Sequence, residues 1–172
     1  MGSSRTCRVP GLFLGLAVVL VLCLPLQVRA DSNEGGLTGI IEAYRVVMND
    51  DGDEQLLPAD KARPDDIIEY KLTYNNASNI SLQNIVITDP VPSEAVYIAE
   101  TAYLPQEGQV QFSINDGASY HGWPIKVLVD TADGEQEWRD AAPEEVTHIR
   151  WTLNQAIDPD QAVVVTYRAS VK

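Results

Sequence analysis

The sequence predicts an all-β fold, a single antiparallel β-sandwich over residues 37–172, on three observations. Beyond residue 36 the prevailing hydrophobic period is two, the spacing that sends alternate side chains to opposite faces of a strand. Clusters of Gly, Pro, Asn and Asp recur roughly every ten residues, which fits seven to nine short strands. No stretch carries a helical period of apolar residues over three turns.

In chain order, residues 31–36 form a short polar leader, read as flexible. Residues 37–47 are a β-branched run (Ile40, Ile41, Val46, Val47) closed by the turn-rich Asn49-Asp50-Asp51-Gly52-Asp53. Residues 67–75 alternate cleanly, with Ile68, Tyr70, Leu72 and Tyr74 on one face and Glu69, Lys71 and Thr73 on the other. Residues 76–81 turn the chain into a strand at 82–88, with either Ile85 and Ile87 or Val86 inward. Asp89-Pro90-Val91-Pro92 ends that strand, because proline has no N–H to give to a ladder. Shorter strands are expected at 95–98, 110–114 and 125–129, and a single helical turn at 141–146. Ile149, Trp151 and Leu153 then alternate with His148, Arg150 and Thr152, which buries Trp151. The last strand places Val163, Val165, Tyr167, Ala169 and Val171 on one face.

The first thirty residues read as an export address. Arg5 and Arg8 make a basic start, residues 11–24 are apolar, and Pro25 leads to Val28-Arg29-Ala30, which suits cleavage after Ala30. About fourteen apolar residues fall short of the roughly twenty that a spanning helix needs. Cys23 raises a lipoprotein reading, but Leu22 before it is bulky where a small residue is required. Removal of residues 1–30 takes both cysteines, Cys7 and Cys23, with it. The exported chain then has no disulfide, Cys nucleophile, Cys-based zinc site or thiol redox motif, and must be held by its core. After cleavage no membrane insertion is expected. Twelve basic residues face 25 acidic ones, net −13, and the chain becomes more negative once Arg5, Arg8 and Arg29 are gone. That sign repels phosphate backbones and anionic lipid surfaces, so nucleic acid is excluded as a partner and cations or basic proteins are favoured. The charge also serves the solubility of an exported protein.

The stretch Asp65-Asp66-Ile67-Ile68-Glu69-Tyr70-Lys71-Leu72-Thr73-Tyr74-Asn75-Asn76, followed by Leu82-Gln83-Asn84-Ile85-Val86-Ile87-Thr88-Asp89-Pro90-Val91-Pro92, resembles the bacterial conserved-repeat domain known as domain of unknown function eleven. The likeness is strong over residues 63–104, including Tyr97 and Ala102, and weaker through Phe112 to Gly117, Ile149-Arg150-Trp151 and the last strand. Asp65 stands where that family has Gly. The resemblance implies an exported Ig-like sandwich module of bacterial origin, in the periplasm, at the cell surface or outside the cell. It implies a structural or interaction role, with another envelope or surface protein, or with itself, as partner. In such a chain the sequon matches Asn76-Ala77-Ser78 and Asn79-Ile80-Ser81 are idle. Asn75 is expected to bond its own turn, and Thr88-Asp89 to cap the turn before the prolines, both structural uses of polar side chains.

Catalytic chemistry is sparse, and the chain is not expected to be an enzyme. His121 and His148 are the only histidines. Ser113 and Ser119 lie near His121, but no Gly-x-Ser-x-Gly elbow or His-Glu-x-x-His motif is present. With 25 acids, a pair of carboxylates for glycoside cleavage carries no information. No cofactor is expected, with Ca²⁺ the one candidate. Asp50, Asp51, Asp53 and Glu54 surround Gly52 with the oxygen ligands that Ca²⁺ takes. The EF-hand register fails, since Gly52 at loop position six puts Pro58 at position twelve, and a solvated hairpin turn is the competing reading. Asn115-Asp116-Gly117 reads as a hairpin turn. Tyr120, Trp123 and Trp138 lie on or near loops, and Tyr120 and Trp123 are the candidates for stacking on carbohydrate or anchoring a protein. The alternative to an interaction module is thus a ligand-binding module for Ca²⁺ or carbohydrate.

Overall fold

A computed structural model describes residues 36–172; the predicted signal peptide and residues 31–35 of the leader lie outside the described residues. Ten strands follow one another: β1 (Leu37–Met48), β2 (Glu54–Pro58), β3 (Ile67–Asn76), β4 (Val86–Pro90), β5 (Ala95–Tyr97), β6 (Gly108–Ser113), β7 (Lys126–Asp130), β8 (Gln136–Asp140), β9 (His148–Leu153) and β10 (Ala162–Val171). One 3₁₀ turn, Pro143–Glu145, is the short helical piece expected between β8 and β9. The five-stranded sheet has the order β2-β1-β3-β10-β5, the three-stranded sheet β4-β9-β6, and β7-β8 form a separate hairpin. All pairings are antiparallel. The protein is an all-β antiparallel sandwich.

The core follows from parity. Pairing of β3 with β10 sets Leu72 beside Val165 and Ile68 beside Ala169, all buried. Across from them, β9 contributes Ile149, Trp151 and Leu153, flanked by Ile87 of β4 and Phe112 of β6. Tyr167 tilts against Trp151 with ring centroids 6.1 Å apart, and Tyr70 stacks on Tyr167 at 4.9 Å. Ile85 and Ile87 are the inward pair of their segment, and Val86 is exposed.

Several sequence expectations need correction. Ten strands exceed the seven to nine expected, because the sequence carries no period for β2 and β8; Trp138, expected on or near a loop, sits within β8. The ladder of β4 begins at Val86, with Leu82 joined to Ile157 by a lone bridge. It also runs through Pro90, which an edge strand tolerates because one side needs no donor. The structural asparagine is Asn76, one residue beyond Asn75. Its side chain is buried, donates to the Ile80 and Ile157 carbonyls at 2.7 and 2.8 Å, and accepts from the Ser78 N–H and hydroxyl. Asp89 faces the core instead of capping a turn, because it continues the inward row of Ile85 and Ile87. There it accepts a 2.9 Å hydrogen bond from the Tyr167 hydroxyl. Asp65, at φ +70°, itself takes the left-handed turn conformation that glycine favours.

The connection from β8 to β9 is held by Glu145. Its carboxylate accepts both Arg139 guanidinium nitrogens, at 2.6 and 2.8 Å, and the Ala142 N–H. The Arg139 hydrogen bonds, then the Ala142 N–H, draw its carboxyl down to about 2 from an ordinary 4.5. A lowered carboxyl stabilises the fold above its unfolded value and loses that contribution as pH falls through the folded one. Melting curves from pH 5 to pH 2 should therefore show Glu145→Gln with a shallower acid limb than the wild type. Identical limbs would assign the acid transition to other groups.

Candidate functional site

The acidic turn is the first site to place. Between β1 and β2 the Asn49 side-chain oxygen accepts the N–H groups of Asp51 and Asp53, at 3.0 and 2.8 Å, so the turn is closed by its own amide. Asp50, Asp51 and Asp53 are exposed. Glu54 is turned away, both carboxylate oxygens accepting from the Arg168 guanidinium, at 3.0 and 2.8 Å. Arg168 also donates from Nε to Glu69 at 2.9 Å, tying β2, β3 and β10 together across the outer face of the sheet. Those bonds hold the Glu54 carboxyl below the ordinary carboxylate range. Among the described residues no group of three or more His, Cys, Asp and Glu side chains could hold a metal ion.

The aromatic candidates separate. The Tyr120 ring is covered by Arg150, whose guanidinium carbon stands 3.4 Å from the ring centroid, a cation–π contact inside the molecule. Trp123 instead packs edge-on against Tyr97 and Phe112, with centroids 6.1 and 5.6 Å apart. These three line an open cleft of about 390 Å³ together with Val110, Ala102 and Glu100. Glu100 has φ +64°, a conformation that costs a non-glycine residue about 1 kcal/mol or more. The sequence had pointed to Trp123 in this cleft but not to Tyr97, Phe112 or Glu100.

The residues that suggested catalysis are engaged structurally. Ser113 is buried, donates to the Asn115 side chain and accepts the Gly117 N–H, which fixes the Asn115-Asp116-Gly117 turn. Asp116 and Gly117 have φ +55° and +81°, the consecutive left-handed pair of a tight hairpin turn. His121 lies 3.2 Å from the Ser119 hydroxyl, and His148 lies 3.1 Å from that of Thr147. Asn76, fully buried, leaves its sequon without an accessible amide in the fold.

A third surface was missed altogether. Leu37 packs against the core, but β1 is exposed from Thr38 to Ala43, and Ile40 and Ile41, which point to opposite faces, are 65% and 56% exposed. On the inner side the Tyr74 ring lies over Gly39, where a Cβ would stand 2.8 Å from the ring. The edge here is open as well. The Ala43 carbonyl accepts the Ala59 N–H at 3.1 Å, so odd-numbered residues of β1 present their backbone groups toward β2. But β2 pairs only with residues 44–48, and residues 37, 39 and 41 face an edge that no described strand occupies. A second exposed apolar pair, Leu128 and Trp138, lies cross-strand on the β7-β8 hairpin. No described helix is long and apolar enough to cross a membrane. No protein-family model, curated protein or solved structure matches the chain.

Proposed function

We propose that this chain is an exported, noncatalytic sandwich module that acts by contact with an envelope or cell-surface protein or with another copy of itself. The observation that carries the reading is an imbalance between its polar and apolar groups. Ser113 and Glu54, two of the polar side chains that suggested chemistry, are spent on partners within the fold, whereas Ile40 and Ile41 stay exposed beside an open sheet edge. An unpaired strand edge flanked by apolar side chains is a template for pairing with another chain. The resemblance to the bacterial conserved-repeat domain supports the export, the envelope setting and the interaction role.

Crosslinking in the native envelope tests it. The wild type should give discrete crosslinked species, and the double variant Ile40→Lys, Ile41→Lys should lose them without a change in melting temperature. Both sites are exposed, so the substitutions should cost no more than about 0.5 kcal/mol. A wild type that stays uncrosslinked would sink the reading. A second reading, a carbohydrate-binding module, is favoured by the cleft of Trp123, Tyr97 and Phe112 with Glu100 on its rim. Aromatic walls and a carboxylate acceptor are the chemistry that holds a sugar ring. Retention on a glycan array that Trp123→Ala abolishes would replace the first reading with this one.

A further inference from the structure

Residues 37–41 read Leu-Thr-Gly-Ile-Ile, five uncharged residues in a chain of net charge −13. The other outer strands carry the devices that discourage strand addition. β2 begins with Glu54 and ends with Pro58, β4 ends with Pro90, and β5 has three residues. At β6 the outer position beside Phe112 is taken by His121. Among the described residues the first half of β1 has no charge, proline or covering segment on its edge, and it offers the backbone groups of three residues there.

Resting on the reading of a contact module, we propose that two copies of this chain pair antiparallel through residues 37–41 of β1, about a two-fold axis at Gly39. The two five-stranded sheets then become one continuous sheet.

Self-complementarity is what selects a second copy over another strand. About that axis Gly39 meets its own counterpart, Leu37 meets Ile41, and Thr38 meets Ile40. Apolar and β-branched side chains thus oppose one another on both faces, the pairs that stabilise a ladder. Glu42 falls opposite Gly36, so no carboxylate faces another across the join. The backbone parity agrees. Residues 37, 39 and 41 of each copy point outward, so 37 with 41 and 39 with 39 are the hydrogen-bonded pairs. Residues 38 and 40 form the non-hydrogen-bonded pairs, with Cα atoms about 4.5 Å apart. Electrostatics sets the sign of the salt dependence. Two strongly acidic molecules repel while the surfaces that meet are neutral, so screening strengthens the pair; a basic partner strand would be weakened by the same salt.

Among the described residues the buried core lies between Ile68 and Ala169, with Leu37 packed against it, so the chain from Asp31 onward holds that core and carries no cysteine. Sedimentation velocity on that chain should show the mass rising toward twice the monomer with concentration, and further as salt is raised. The register is tested by mixing a Thr38→Cys chain with an Ile40→Cys chain under mild oxidation. The non-hydrogen-bonded spacing suits a disulfide, so the mixture should crosslink at least about tenfold faster than either variant alone. A monomer at every concentration and salt, or variants that crosslink alone as fast as together, would overturn the pairing. A monomer whose envelope crosslinks persist would overturn the second copy but leave the contact-module reading standing. Loss of both would remove both. Capture of a lysine-flanked strand peptide by the monomer, weakened by salt, would assign the edge to a basic partner instead.

Discussion

Trp151→Ala is expected to take about 3–5 kcal/mol from the domain, a large part of the roughly 5–15 kcal/mol that holds a fold of this size. Trp151 is fully buried in β9, the central strand of its sheet, between Ile87 of β4 and Val110 of β6, and its ring meets Tyr167 from the opposite sheet. Truncation opens a cavity where both sheets meet, and neighbours pinned by ladders on two sides have little freedom to collapse into it. The melting temperature should fall by about 10–20 °C, given roughly 3–4 °C per kcal/mol for a domain of this length. Trp151→Phe makes the comparison informative. The indole Nε1 is buried and finds no acceptor among the described residues. Phenylalanine removes that unpaired donor, worth about 1–3 kcal/mol, while giving up part of the volume. Its loss should be less than half that of the alanine variant. Equal losses in urea titrations would show that the indole's shape alone matters and that the unpaired donor costs little.

What could be read from the sequence divides along a physical line. The strands at 67–75, 149–153 and 163–169 were legible because each covers one face and wets the other, so burial writes itself as alternation. β2 and β8 were not. Every residue of β8 is exposed, and its single aromatic, Trp138, is 68% exposed, so no period exists to be read. Asn76 and Asp89, both buried and polar, obey the same period as the core. The parity that turns Leu72 inward turns Asn76 inward, and that of Ile85 and Ile87 carries on to Asp89. Extending each apolar row by one step through its polar end would have found both. The cleft is different in kind. Tyr97, Phe112 and Trp123 come from three segments that meet only through non-local pairing, and Tyr120 is capped by Arg150 from another strand. Local pattern holds no information about such meetings. The open edge of β1 lies between these cases: its uncharged run was visible, but that β2 stops at Tyr44 is a fact of register.

Asn76→Asp should be the most damaging substitution that leaves side-chain shape unchanged. Asn76 closes β3 and ties the turn after it to the segment before β10, donating to two carbonyls, Ile80 and Ile157, from one buried NH₂ group. An aspartate oxygen in that place has no proton to give and faces two carbonyl oxygens at 2.7 and 2.8 Å. Two hydrogen bonds become two repulsions, and a charge is buried without a counter-ion, a combination worth about 3–5 kcal/mol. Asn76→Ala should cost less, about 2–3 kcal/mol, because it loses the bonds without adding charge. The pH dependence separates the two causes. A carboxyl buried beside carbonyls binds its proton more tightly folded than unfolded, so the folded state takes up a proton and the deficit shrinks as pH falls. The alanine variant has no such group, and it shares with the aspartate variant the acid loss that comes from Glu145. Subtracting one variant's unfolding free energy from the other's at each pH cancels that common loss. The difference should be largest near neutral pH and narrow in acid. A difference that stays constant with pH would mean that the aspartate has rotated out to solvent, and that the turn, not the buried amide, holds β3 to β10.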